Sequence, residues 1–211
     1  MKIVYQGISG SYSESCANKM FPGIETIPCK TFDECFDKAS TDSNIRAIIP
    51  ESNKTTGNIG VEYLIFKYRL NFYEEFFFPI NHNLIGVKGA ELKDIKDVYS
   101  HAQALSQSSQ FIKKNNLNGN VRADTAGSAK YISELGDKSK AAIASSLSAK
   151  IYNLDILSEK IQDDRENFTR FLIMGKDIVQ PDYNDDKFIT SFLFKLRDKP
   201  AALYSALSGF A

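Results

Sequence analysis

The sequence predicts an α/β protein of two lobes with a ligand cleft between them. Three observations carry this. Strand-like and helix-like patterns alternate through most of the 211 residues; two such runs are joined by a long extended stretch, 72–87; and a second extended stretch, 155–174, returns toward the first run. Alternating units of this kind build mostly parallel sheets flanked by helices, with ligands beyond the carboxyl ends of the strands.

The elements follow in order. Lys2–Gln6 is a short apolar strand, followed by Gly7-Ile8-Ser9-Gly10-Ser11 and a helical stretch to about Met20. Ile24–Cys29 reads as a strand, and Thr31 caps a helix with Phe32, Cys35, Phe36 and Ala39 on one face. Arg46–Pro50 is a buried strand ending at its proline, before the polar loop ESNKTTGN and a helix over Ile59–Tyr68. The extended stretch, rich in Phe and interrupted by Pro79, leads to three further strand–helix pairs: 97–101 with 104–114, 120–124 with 126–135, and 140–145 with 147–152. Between them Asn118-Gly119 is expected to turn the chain through positive φ. A polar, aperiodic segment, 177–187, precedes a strand over Phe188–Leu196 and a helix over Pro200–Phe210 with proline in its first turn.

Composition narrows the function. A chain of this length can bury one sizeable core or two lobes sharing a cleft. Lys+Arg and Asp+Glu are both 26, and this balance argues against a nucleic-acid partner. No apolar run is long enough for a membrane span, and the first residues lack signal-peptide character, so a cytoplasmic location is expected. Cys16, Cys29 and Cys35 form no Cys-x-x-Cys pair and are expected to be reduced, buried thiols. His82 and His101 lack metal spacing and are expected to be structural hydrogen-bonders.

Three loops place small hydroxyl and glycine residues at helix starts: Gly10-Ser11, Asp124-Thr125-Ala126, and Ser145-Ser146. They serve equally as N-caps or as seats for a carboxylate or phosphate, because helix starts expose unpaired N–H groups. In Asn167-Phe168-Thr169-Arg170-Phe171, a hydroxyl and a guanidinium stand between two phenylalanines. Arg170 suits a carboxylate ligand, or an ion pair with Asp163 or Asp164. A regular strand would send Thr169 and Phe171 to one face and Arg170 to the other, so all three share a pocket only where the strand is irregular.

Taken in order, YQGISGSYSE, IIPESNKTTGNIG, NHNLIGVKGA, SHAQALSQ, RADTAGSAK, AAIASSLSAKIYNLDIL and IQDDRENFTRF resemble the prephenate dehydratase family over essentially the whole chain. The resemblance implies a fold similar to periplasmic solute-binding proteins. The catalytic domain would span 1–176, with lobe 1 at about 1–75 and 163–176, lobe 2 at about 76–162, and a linker at 177–187. The implied reaction is the decarboxylating dehydration of prephenate to phenylpyruvate, without metal or cofactor. Thr169 would lie near the departing hydroxyl, Arg170 would hold a carboxylate, Phe171 would shape the pocket, and Asn53 would join the substrate contacts. Arogenate dehydration and non-catalytic binding of a small carboxylate are the alternatives.

One loop departs from the family pattern Pro-x-Glu-Asn-Ser-x-x-Gly: Pro50 to Gly57 retains Asn53 but has Ser52 for Glu and Lys54 for Ser. Lys54 is expected either to add a cation for the substrate or to disturb the pocket. Residues 188–211 resemble the start of a ferredoxin-like ACT regulatory domain, with Ala201-Ala202-Leu203 in place of Gly-Ala-Leu. The family's later Glu-Ser-Arg-Pro motif is missing, so L-phenylalanine binding is expected to be weak or absent. A homodimer is the assembly that the resemblance allows.

Overall fold

The computed structural model describes residues 1–179 and 194–210. Met1–Val179 forms one compact unit, and 194–210 belongs to a second.

The first unit contains two sheets. The first is built from β1 (Lys2–Gln6), β2 (Thr26–Cys29), β3 (Ile45–Asn53), β4 (Gly57–Asn58), β5 (Asn71–Pro79) and β11 (Phe168–Gly175). Its order is β2-β1-β3-β11-β5, with β4 hairpinned onto the end of β3. The second holds β6 (Asn83–Gly86), β7 (Asp97–Ser100), β8 (Asn118–Val121), β9 (Lys140–Ala144) and β10 (Asp155–Ser158), in the order β10-β6-β9-β7-β8. The expected mostly parallel sheet is in fact two mixed ones. β1 runs parallel to β2 and β3, and β7 to β8 and β9, whereas β11 is antiparallel to β3 and β5, and β6 to β9 and β10.

The helices pack on both faces of each sheet, and the strand period of two sorts the core residues. In the first sheet, Val4, Ala47, Ile49, Leu172 and Met174 face α2 (Phe32–Thr41) and α3 (Glu62–Tyr68). Ile3, Tyr5, Ile48, Phe171 and Ile173 face the other way, onto Cys16 and Ala17 of α1 (Tyr12–Met20). In the second sheet, Leu84, Val98, Ala141 and Ile143 pack with Ala104 of α4 (Ala102–Ser106) and Phe111 of α5 (Ser109–Lys114). Ile85, Ala142 and Ala144 meet Ala129 and Ile132 of α6 (Thr125–Leu135) and Ala149 of α7 (Ser146–Ile151). All three cysteines are buried and free, as their sequence context predicts.

Several elements depart from local expectation. β3 does not stop at Pro50 but continues to Asn53. The ladder shifts register there, pairing Arg170 with Ser52 and Phe171 with Pro50, so that Glu51 is the extra residue of a bulge. The extended stretch 72–87 divides into β5 and β6, which belong to different sheets. The helix expected over 104–114 is two short ones, α4 and α5. Asn118-Gly119 lies inside β8, paired to Asp97-Val98, and the positive φ falls at Asn116.

The lobes are joined by two crossings, 80–82 and 161–167, which bond to each other: Ile80 N–H donates to the Asn167 carbonyl (2.9 Å), and Ile161 N–H to that of His82 (2.8 Å). In the second unit, α8 (Ala202–Leu207) follows Ala201, which sits in the left-handed region at φ 57°, and presents Leu203, Tyr204 and Leu207 outward. Of the strand expected over Phe188–Leu196, residues 188–193 lie outside the described residues, and 194–196 are irregular.

Candidate active site

A cavity of about 450 Å³ lies between the lobes. The first lobe contributes the loop after β1, the start of α1, Phe32, and the facing ends of β3 and β11; the second contributes α4 and the start of α6; Ile80 and His82 come from a crossing. Ile8, Phe32, Pro50, Ile59, Ile80 and Phe171 form its apolar wall. Asp124 is the one carboxylate among the described lining residues, and neither Lys nor Arg is among them.

Thr169 and Phe171 both reach the cavity, because alternate residues of β11 share a face. Arg170 does not. β11 stays regular here and the bulge falls in β3, so the guanidinium turns to the opposite face. Its Nε donates to Glu75 Oε2 at 2.7 Å and its Nη1 to Glu51 Oε2 at 3.3 Å. Neither Asp163 nor Asp164 is its partner, and a role in holding a carboxylate in this cavity finds no geometric support.

The Thr169 hydroxyl is oriented by Asn53, whose Nδ2 donates to Thr169 Oγ1 (3.0 Å), the Phe168 carbonyl (2.9 Å) and Asn167 Oδ1 (2.8 Å). On the other side, Asn53 Oδ1 accepts from the Thr55 backbone N–H at 3.0 Å. A backbone donor and a backbone acceptor thus fix which end of the amide is which. With its oxygen engaged as an acceptor, the Thr169 hydroxyl can still donate its own proton to a ligand.

Gln107 extends this network across the cleft. Its Nε2 donates to Asn53 Oδ1 (3.3 Å) and, in a short contact, to Thr55 Oγ1, while its Oε1 accepts from Asn167 Nδ2 (3.2 Å) and faces His82 Nε2 at 2.8 Å. An amide oxygen accepts only, so His82 carries its proton on Nε2, and the Tyr12 hydroxyl proton is shared between two acceptors, His82 Nδ1 at 2.8 Å and the Asn81 carbonyl oxygen at 3.0 Å. Burial holds the His82 pKa below the ordinary imidazole value, partly offset by the Gln107 bond, and pushes the Tyr12 phenol up.

The remaining residues singled out in the sequence divide. Ser11 and Asp124 line the cavity while capping α1 and α6, through Glu14 N and Gly127 N, and Thr125 lines it beside Asp124. Ala126 is buried in α6. Gly10 and Ser145 bond to each other instead of facing the cavity. The helix starts therefore do not share one sheet edge: Ser11 belongs to one lobe, and Asp124 and Ser145 to the other. Lys54 is not among the lining residues, and its ammonium pairs instead with Asp164 (3.1 Å) and Glu166 (3.0 Å). Sequence reasoning missed Tyr12, His82, His101, Gln103 and Gln107 as lining residues. The available signals were Gln103 and Gln107 one helical turn apart, and His82 flanked by polar residues beside an apolar strand.

Fold and cavity together define a two-lobed α/β protein with a cleft for a small, partly apolar ligand, the Thr169 hydroxyl among the groups lining it. The chain belongs to the prephenate dehydratase family, whose model matches residues 3–178. It is 40% identical over 212 residues to arogenate dehydratase/prephenate dehydratase 1, chloroplastic, of Arabidopsis thaliana, covering 100% of this chain and 54% of that protein. The chain thus spans about half the length of the plant relatives it matches. A prephenate dehydratase from Arthrobacter aurescens, solved with L-Phe, shares the fold at a TM-score of 0.84 and 23% identity, covering 100% of this chain and 72% of that one. GqqA, described as a novel type of quorum quenching acylase, also superposes at 0.84, with 28% identity and coverage of 100% and 77%. Among the described residues, no helix is long and apolar enough to cross a membrane, and no cluster of three or more His, Cys, Asp or Glu could hold a metal ion.

Proposed function

We propose that the chain converts prephenate to phenylpyruvate, carbon dioxide and water. The observation that carries this reading is the Thr169 hydroxyl, which accepts from Asn53 and lines a cavity with an apolar wall, so that its own proton can be donated to a ligand there. In the reaction the ring C–OH bond breaks, the bond to the ring carboxylate breaks, and its electron pair completes the aromatic ring. One proton, supplied by solvent, is consumed as the hydroxyl leaves as water, with Thr169 donating a hydrogen bond to the departing oxygen.

Aromatisation drives the step, so the protein needs chiefly to orient the substrate and assist departure of the hydroxyl. Thr169 does this as a hydrogen-bond donor, since a threonine is too weak an acid for full proton transfer. Such assistance is worth about 10²–10⁴ in rate, with positioning supplying more. An apolar wall without Lys or Arg suits a carboxylate that departs as neutral carbon dioxide, because a paired cation would stabilise the ground state more than the transition state. Phenylpyruvate formation by the purified chain tests the proposal, with a no-enzyme control. Thr169→Ala should abolish most turnover while remaining folded; turnover like that of the unaltered chain would sink the assignment.

Asp124 favours a second substrate, arogenate, whose amino group replaces the keto group of prephenate. A carboxylate lining the cavity complements an ammonium and opposes a further anion. Arogenate assayed in parallel decides between them. For residues 188–211 we keep the reading of a first portion of an ACT module with Ala201, Ala202 and Leu203 at its helix start. Its support is sequence resemblance, and titration calorimetry with L-phenylalanine tests it.

A further inference from the structure

The loop opening α1 is gripped by the second lobe at one spot. Ser145 Oγ lies 2.5 Å and Ser148 Oγ 2.8 Å from the Gly10 carbonyl oxygen, and the Tyr152 hydroxyl lies 2.7 Å from that of Ser9. Three hydroxyls from the cap, first turn and end of α7 therefore donate to two consecutive carbonyls of the other lobe. Both serines are buried, and the Gly10 N–H is taken by Glu14 Oε2 at 2.6 Å. Gly10 has no polar backbone atom left for a ligand, although its neighbours Ile8, Ser11 and Tyr12 wall the cavity.

We propose that Ser145, Ser148 and Tyr152 form a latch on Ser9-Gly10 that holds the cleft closed, acting as positioning residues and not as ligand contacts. Glycine is required at the socket for two separate reasons. Its φ is +93°, and a Cβ there would lie 2.5 Å from Ser148 Oγ and 2.9 Å from Ser148 Cα. The second contact is with backbone, so rotating a side chain cannot relieve it. The latch lies on one flank of the cavity, while Gln107, bonded to Asn53 and Thr55, ties the lobes elsewhere along it. Closure at both places keeps the wall bearing Ser11 and Tyr12 in register with Thr169.

Removing the latch and wedging it open have different consequences. In Ser145→Ala/Ser148→Ala the cleft can still close around substrate, but the closed state is less populated beforehand. Apparent affinity falls with that population, so KM should rise by about 10-fold while kcat stays within about threefold. In Gly10→Ala the new methyl group blocks reclosure. α7 must withdraw by roughly 0.5–1 Å to reach an ordinary carbon–carbon contact. A misplacement of that size can cost about 10²-fold, here read in kcat.

The kinetic arm rests on the proposed dehydratase reading; a second arm does not. Spin labels at Asp37→Cys, on exposed α2, and Lys130→Cys, on exposed α6, report the separation of the lobes. The otherwise unaltered chain should give one narrow distance, and both latch variants a longer or broader distribution. Should the chain turn over no substrate, this distance still decides. Tyr152→Phe, which only deletes a hydroxyl, serves if Gly10→Ala fails to fold, and should broaden the distribution less than the double serine variant. A narrow, unchanged distance in the latch variants would overturn the proposal, as would kcat and KM moving together in both sets.

Discussion

Asn53→Asp is the sharpest perturbation of this site, because it is nearly isosteric and reverses one end of the side chain. The nitrogen that donates at 2.8, 2.9 and 3.0 Å to Asn167, Phe168 and Thr169 becomes a carboxylate oxygen facing three acceptors. Thr169 relieves its own clash by rotating its hydroxyl toward the new carboxylate, which withdraws the proton from the cavity. The Phe168 carbonyl keeps its second donor, the Lys54 backbone N–H at 3.0 Å, but the buried Asn167 Oδ1 loses the Asn53 donor while its Nδ2 stays on Gln107. One stranded buried acceptor costs about 1–3 kcal/mol. For a chain of this size that lowers Tm by about 2–12 °C. The loss of hydroxyl assistance should lower kcat by about 10²–10⁴. The assay is phenylpyruvate formation at saturating prephenate, with circular dichroism to confirm folding. Because both changes remove the same donor, Asn53→Asp combined with Thr169→Ala should be little worse than either alone. A folded Asn53→Asp with kcat within about threefold of the unaltered chain would refute the claim that the direction of this proton matters.

Three further outcomes follow from the same geometry. Arg170→Met leaves Glu51 and Glu75 without their cation at sites 20% and 27% exposed, so it should cost about 1–3 kcal/mol of stability with KM nearly unchanged. A KM rise of ten-fold or more at intact stability would restore Arg170 as a substrate ligand. Lys54→Ala should leave kcat and KM within about twofold, because its partners Asp164 and Glu166 lie at the surface. His82 is held neutral by burial. Its folded pKa lies below the unfolded value of about 6.5, so the unfolded state binds the extra proton. Stability should therefore fall as pH drops below about 6.5, level off below the depressed folded pKa, and lose this component in His82→Gln, as denaturation midpoints across pH would show.

What the sequence makes legible depends on the range of the interaction. The caps Ser11, Thr31, Asp124 and Ser145 were readable because a cap bonds a backbone group only three residues away. The buried strands were readable from short apolar runs. Pro50 misled because a proline without a donor is harmless at a bulge, and the bulge depends on β11, more than a hundred residues later. Asn118-Gly119 misled because pairing with β7 outweighs a local turn preference. Within Thr-Arg-Phe, strand alternation correctly separates Arg170 from its neighbours, against the role that the family resemblance gives it. The chain His82–Gln107–Asn53 joins residues 25 and 54 apart in sequence, and no local pattern marks such a bond.

The place of β11 in its sheet also bears on how the chain folds as it leaves the ribosome. The second sheet is contiguous in sequence, from Asn83 to Ser158, and can assemble as soon as that stretch has emerged. The first sheet cannot. Its strands β3 and β5 are each bonded to β11, the last strand of the unit to be synthesised. Until Gly175 is available, both carry unpaired edges, one of them beside the apolar run Phe76-Phe77-Phe78. Such edges invite pairing with other nascent chains, and closing the sheet late requires contacts of high sequence separation, which form slowly. The younger lobe would then be the finished one, and the older lobe the client of any chaperone waiting at the exit tunnel.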